Sequence, residues 1–202
     1  MFTGLIREVA TIKSFAGSRL CVEAKHSAKL GDSIAINGAC LTVVEVLEDG
    51  FCVELSPESA SLLAIENYKG EVHIEPAMMM GDRFEGHIVQ GHIDAIGVID
   101  EIKKSGNSYD LFIKVAKKFI PYIVPKGSIT IDGVSLTLNS VFEDSFRLTI
   151  IPHTMEQTIF KRYKKGTRVN IETDMFARYI EHILKRKNST SWEEVDSIMA
   201  RY

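Results

Sequence analysis

Apolar and polar residues alternate with a period of two over much of the chain. Ser33 to Ile36 alternates, and Leu41, Val43 and then Phe51, Val53 and Leu55 carry the same period on either side of an Asp49-Gly50 turn. That pattern predicts a hairpin with one buried face. A second set repeats it: Leu136 and Leu138, then Phe146, Leu148 and Ile150, around Asp144-Ser145. Glu58 to Ile65 and His153 to Phe160 each follow a strand-ending proline and have helical spacing, with Ser59 or Thr154 placed to cap the helix. From Met175 the period changes. Met175, Phe176, Tyr179, Ile180, Ile183 and Leu184 form a stripe with Arg178, Glu181, His182 and Lys185 opposite, which predicts an amphipathic helix. Ser191-Trp192-Glu193-Glu194 reads as a capping box opening a last short helix with Val195, Ile198 and Met199.

The two hairpins are copies. Ser33-Ile34-Ala35-Ile36-Asn37-Gly38-Ala39-Cys40-Leu41-Thr42 aligns with Ser128-Ile129-Thr130-Ile131-Asp132-Gly133-Val134-Ser135-Leu136-Thr137 at one constant spacing, that of Gly38 from Gly133, and six of the ten pairs are identical. The register holds through Phe51 and Phe146, Pro57 and Pro152, Ser59 and Thr154, and Tyr68 and Tyr163. Upstream, Gly4-Leu5-Ile6 matches Gly91-His92-Ile93. Shared strand composition gives no reason for glycine, proline and tyrosine to fall in register, so the chain is an internal duplication. About six short strands per copy favour closed barrels, which leave no exposed sheet edge. The expected class is all-β: two tandem six-stranded Greek-key barrels, over 1–88 and 89–174, and a helix with its tail over 175–202.

Composition narrows the partners. The chain has 202 residues, a formal net charge of -3 and 45% hydrophobic residues, which suits a packed core and disfavours a nucleic-acid surface. Cys21, Cys40 and Cys52 are odd in number and lack metal-type spacing, so neither a disulfide framework nor a zinc site is expected and a reducing cytosol fits. Met1 leads directly into Phe2-Thr3-Gly4-Leu5-Ile6 and no apolar run reaches the ~18 residues of a membrane span, so secretion and insertion are not expected. Phosphate loops, Gly-x-Gly-x-x-Gly and His-Glu-x-x-His motifs are missing, and Met78-Met79-Met80 reads as apolar filler.

Three constellations carry candidate chemistry. Asn37 to Thr42, echoed by Asp132 to Thr137, puts backbone groups and a small thiol or hydroxyl beside a glycine bend, an array suited to a flat heterocycle and equally to a buried hairpin. Its doubling favours a pocket. Gly86-His87-Ile88-Val89-Gln90-Gly91-His92-Ile93 holds two histidines five apart, which face opposite ways on a strand unless Gly91 bends it; proton transfer suits them better than a metal. Thr149-Ile150-Ile151-Pro152-His153-Thr154, echoed by Glu54-Leu55-Ser56-Pro57-Glu58-Ser59, ends a strand and opens a helix, at once a cap and a polar rim.

With the N-terminal Met1-Phe2-Thr3-Gly4, these motifs make the chain resemble the riboflavin synthase family over residues 1 to 185. The resemblance implies two lumazine-binding barrels, a homotrimer built by the carboxy-terminal helix with active sites between subunits, and neither metal nor added cofactor. It implies conversion of two molecules of 6,7-dimethyl-8-ribityllumazine into riboflavin and 5-amino-6-ribitylamino-uracil by four-carbon transfer. By the same resemblance His92 and His87 move protons, Ser135 and Thr137 belong to the donor pocket, and Cys40 or water adds to the acceptor ring. Phe2 to Ile6, Ser33, Cys40 to Thr42, Glu54 to Ser59, Gly91 to Ile93, Ser135 to Thr137 and Thr149 to Thr154 become substrate contacts. Lys126 becomes a residue that reaches the neighbouring pocket. The resemblance also brings in lumazine synthase as a partner and a cytoplasmic location. The family commonly has a second glycine where this chain has Glu85. The rival reading is a carrier on the same barrels that holds lumazine or flavin without turning it over; a nucleic-acid-binding barrel is more distant.

Overall fold

The computed structural model describes residues 1–188, with side chains through Lys185. The expected last helix, from Ser191, lies outside the described residues. Twelve strands form two closed barrels. The first is built from β1 (Glu8–Ala16), β2 (Arg19–Glu23), β3 (Ser33–Ile36), β4 (Ala39–Leu47), β5 (Gly50–Glu54) and β6 (Glu71–Pro76). The second uses β7 (Ala95–Ser105), β8 (Ser108–Lys114), β9 (Ser128–Ile131), β10 (Val134–Val141), β11 (Ser145–Ile150) and β12 (Arg168–Thr173). Both close in the same cyclic order, β1-β2-β5-β4-β3-β6 and its counterpart β7-β8-β11-β10-β9-β12, with every pairing antiparallel.

Register breaks repeat as well. β1 slips against β2 between Ile12 and Ser14, and β7 slips against β8 between Ile99 and Glu101; β4 and β10 slip after Val43 and Leu138. These bulges bend the strands enough for a small barrel to close. Each barrel then buries its own core: Leu20, Val22, Ile34, Phe51 and Ile74 in the first, Leu111, Ile113, Ile129, Phe146 and Ile171 in the second.

The expected helices are shorter than their patterns. α1 spans Pro57–Ser61 and α2 spans Pro152–Gln157, each followed by a separate 3-10 turn, at Ile65–Asn67 and Ile159–Arg162. Neither expected residue is the cap. Ser56 caps α1 by accepting from Ser59 N at 3.0 Å, and α2 opens at Ile151 without a side-chain cap. Proline at the first helical position fixes these starts and moves each cap upstream of Ser59 and Thr154. α3 (Met175–Asn188) is the helix expected from the stripe.

The cysteine expectation is overturned. Barrel closure sets Cys21 on β2 directly opposite Cys52 on β5, and a disulfide joins them; Cys40 alone is free. Residues 31 apart in the chain become neighbours only through sheet pairing, which spacing alone does not reveal. The methionine run is also not filler, since Met80 is fully exposed and Met79 nearly three-quarters exposed.

Candidate functional site

The two barrels meet back to back at their Asn-Gly and Asp-Gly turns. Asn37 and Gly38 have φ of 45° and 83°, Asp132 and Gly133 have 44° and 83°, and each glycine lies so close to the other that an added Cβ would reach backbone nitrogen at 2.7 or 2.9 Å. Close approach, not ligand contact, is therefore what glycine serves here. Around this pseudo-twofold centre each copy braces the other. His73 of the first barrel accepts from Ile159 N through Nε2 at 2.9 Å and donates from Nδ1 to Asp132 O at 2.8 Å. Asn170, at the matching place in the second, accepts from Ala64 N at 2.8 Å and donates to Asn37 O at 2.9 Å. Burial lowers the His73 pKa to about 4, which keeps the imidazole neutral and both bonds intact.

The leading segments cross over. Gly4 O accepts from Ser135 N at 2.7 Å, and Gly91 O accepts from Cys40 N at 2.8 Å, so the segment before each barrel lies against the other barrel's β10 or β4. Both glycines have φ of 79°, and a Cβ on either would fall 2.6 Å from the Cβ of its neighbour. A buried glutamate grips each segment. Glu75 accepts from Thr3 N and Oγ1 and from Gly4 N; Glu172 accepts from Gln90 N and Gly91 N, both at 2.8 Å. Burial raises both carboxyl pKa values, that of Glu172 to about 7, against the lowering effect of the amides they hold.

This exchange parts the two histidines. His92 lines a pocket of about 210 Å³ on the first barrel, together with Ala39, Cys40, Leu41, Glu58, Ser59, Leu62, Leu63, Gly91 and Ile93. His87 belongs to the second barrel, where its Nδ1 stands 2.8 Å from Ser135 Oγ. Burial lowers the His87 pKa and the Asp174 carboxylate opposes it, so the neutral ring can accept the serine proton. Gly86, with φ of 106° and Thr3 O at 2.3 Å from any added Cβ, makes the bend before His87 unaided; Glu85 is exposed and ion-pairs with Arg83 at 3.1 Å. Each half-site thus holds one histidine beside one small nucleophile, Cys40 or Ser135.

The other expected residues are distributed more widely. Ile6 and Leu136 pack against the second core and Leu5 is half-buried beside them. Phe2 is fully buried with Ala35, Val89 and Cys40, beneath the pocket and out of direct reach of it. Leu55 and Ile150 are core residues, whereas Thr42, Glu54, Ser56, Pro57, Thr137, Ile151, Pro152 and His153 are exposed and Ser33 and Thr154 are half-buried. Thr149 spends its polar groups within the barrel, donating from N to Asn139 and from Oγ1 to Asp110. Lys126 is exposed, with φ of 63° where the first copy has Gly31. Glu75, Glu172, His73, Asn170 and Asp174 were not read from the pattern. A signal was present: Val72-His73-Ile74-Glu75 recurs as Val169-Asn170-Ile171-Glu172, displaced by two residues inserted before β12.

Known proteins match this arrangement. The lumazine binding domain family matches twice, over residues 3–77 and 90–174. Riboflavin synthase of Photobacterium phosphoreum is 43% identical over 194 residues, 91% of this chain and 89% of that protein, and the Bacillus subtilis riboflavin synthase is 38% identical over 203 residues, 96% of this chain and 94% of that one. Among solved structures, LumP complexed with riboflavin superposes with a TM-score of 0.79 over 86% of this chain and 100% of that chain, at 22% identity, a likeness of fold. Two lumazine-binding repeats, near full-length similarity to several riboflavin synthases and two equipped half-sites place this chain in the riboflavin synthase family, whose members are transferase enzymes.

Proposed function

We propose that the protein converts two molecules of 6,7-dimethyl-8-ribityllumazine into riboflavin and 5-amino-6-ribitylamino-uracil. The observation that carries this reading is the pair of half-sites, Cys40 with His92 on one barrel and Ser135 with His87 on the other. A carrier needs one competent pocket. A dismutation needs two similar ones, because donor and acceptor are the same compound. LumP, similar in fold, has been solved with this lumazine bound.

The C7 methyl of the lumazine is acidic because its anion delocalises into the ring. Neutral His87, held by Ser135 and faced by Asp174, is suited to take that proton, and Cys40 or a water beside His92 to add to the other ring. Thr137 stands at the rim of the donor half-site. Holding the two rings stacked supplies much of the acceleration, since orientation contributes up to roughly 7 to 11 kcal/mol.

In this reading the first half-site of one protomer faces the second of its neighbour in a homotrimer, with Lys126 reaching across. The stripe on α3 supports assembly: Phe176, Tyr179, Ile180, Ile183 and Leu184 are all more than half exposed, a run that a lone chain would leave in water. Association with lumazine synthase rests on the resemblance alone. A cytoplasmic location likewise rests on the resemblance; no helix among the described residues is long and apolar enough to cross a membrane.

The test is to incubate purified protein with the lumazine alone and follow riboflavin by its absorbance. Riboflavin at half the molar amount of lumazine consumed is expected. Tight binding without conversion would give the carrier reading instead.

A further inference from the structure

α3 does more than present a stripe. From its inner face Arg178 donates to Asp94 Oδ1 and to Gln90 Oε1, each at 2.7 Å, and lies 3.9 Å from Glu172 Oε1. Those three residues bracket the segment that carries His92. Glu172 holds its amides at Gln90 and Gly91, Asp94 ties its far end to Thr173 through N and Oγ1, and Gly91 O receives Cys40 N. Among the described residues, the segment leading into the first barrel has no equivalent clamp from a helix: Glu75 grips it, and the chain that follows β6 runs on as the linker through Met78.

We infer that Arg178 is a positioning residue: through Gln90, Asp94 and Glu172 it makes the aim of His92 in the first-barrel pocket depend on the seating of α3. This rests on the reading of the two half-sites as a catalytic pair. It links two distant features, since the helix that carries the exposed stripe at its outer face controls from its inner face a residue of the other barrel's pocket.

The linkage has a pH signature. Arg178 from α3 and Asp94 from the exchanged segment are the charges acting on Glu172, and its neighbour across β9 is the uncharged Thr130. Ionised, Glu172 accepts from both amides; protonated, it gives up part of that grip. Arg178 favours the ionised form, so removing the guanidinium raises the Glu172 pKa and moves the acid limb of activity to higher pH. A residue that merely glued the helix would leave that limb in place.

The experiment uses the full chain and its Arg178→Met and Arg178→Lys variants, with steady-state turnover of the lumazine across the neutral pH range and sedimentation velocity on the same samples. Arg178→Met is expected to sediment as the wild type, to lose about tenfold to a hundredfold in turnover, and to shift its acid limb upward; Arg178→Lys should recover most of both. Wild-type turnover and limb in Arg178→Met, or no recovery by lysine, would overturn the inference. Should Arg178→Met not fold, Gln90→Leu, which removes one arm of the clamp, carries the test: a severalfold loss in the intact assembly supports it and wild-type kinetics refute it. If wild-type protein itself makes no riboflavin, the catalytic reading fails separately, and lumazine affinity, read by fluorescence, replaces turnover in the same comparison.

Discussion

The two barrels share a skeleton and differ in what they attach to it. Both have the same strand order, the same bulges, a buried glutamate gripping the exchanged segment and a glycine pressed on Cys40 or Ser135. The first then offers a thiol and a histidine carried on the other copy's leading segment, and it is stapled by Cys21–Cys52. The second offers a hydroxyl already bonded to His87, has Phe112 opposite Arg147 where the staple would be, and continues into α3. Geometry that closes a barrel tolerates little change, while the groups lining a pocket can diverge. Two copies of one ligand can thus be bound alike and treated differently.

The sharpest break of the comparison is in the histidines. His92→Ala and His87→Ala should each lower turnover by about a hundredfold to a thousandfold, the range for losing a general acid or base, while lumazine affinity changes far less. Fluorescence titration beside steady-state assays separates the two, and an unchanged rate in either variant would show that its half-site does not take part.

The staple predicts a thermodynamic asymmetry. Cys21→Ser with Cys52→Ala should lower the stability of the first barrel by about 3 to 4 kcal/mol, on the loop-entropy account of a cross-link between residues 31 apart. The second barrel should be unaffected. Hydrogen exchange resolved by barrel would show it, and equal loss of protection in both would mean that they unfold as one unit.

A smaller effect concerns the turns at the pseudo-twofold centre. Asp132 accepts from Asn170 N and from the hydroxyl of Tyr163, and burial raises its pKa to about 7 against the lowering effect of those two bonds. Its folded pKa therefore exceeds the unfolded one. The stability it contributes is complete below about pH 4 and is lost as pH rises through about 7, with a slope of at most about 1.4 kcal/mol per pH unit. Asn37 stands in the same place in the first copy and cannot titrate. Asp132→Asn should flatten the fall in melting temperature between about pH 4 and about pH 7; a profile parallel to the wild type would assign the slope to other groups.

Much of the candidate site was legible from residues. The doubled Gly-x-[Cys/Ser]-Leu-Thr placed Cys40 and Ser135, and the junction motif placed both histidines, because a repeat in register exposes what one copy would hide. A bend or a close backbone approach was the role read for Gly38 and Gly133, and each lies against the backbone of the other turn. Glu75 and Glu172 escaped notice because an acidic residue closing a strand reads as a solvated end until its partners, 71 to 82 positions away, are seen.

What the sequence by itself determined is local and periodic: strands, turns, the duplication, the amphipathic helix and the kinds of group available for chemistry. Period and propensity act between near neighbours, so they survive reading in one dimension. The tertiary structure alone decided which segment serves which barrel, that Cys21 meets Cys52, and that His87 and His92 belong to separate half-sites. Those outcomes depend on closing two sheets and docking them across a pseudo-twofold centre, where contacts between residues far apart in the chain set the partners.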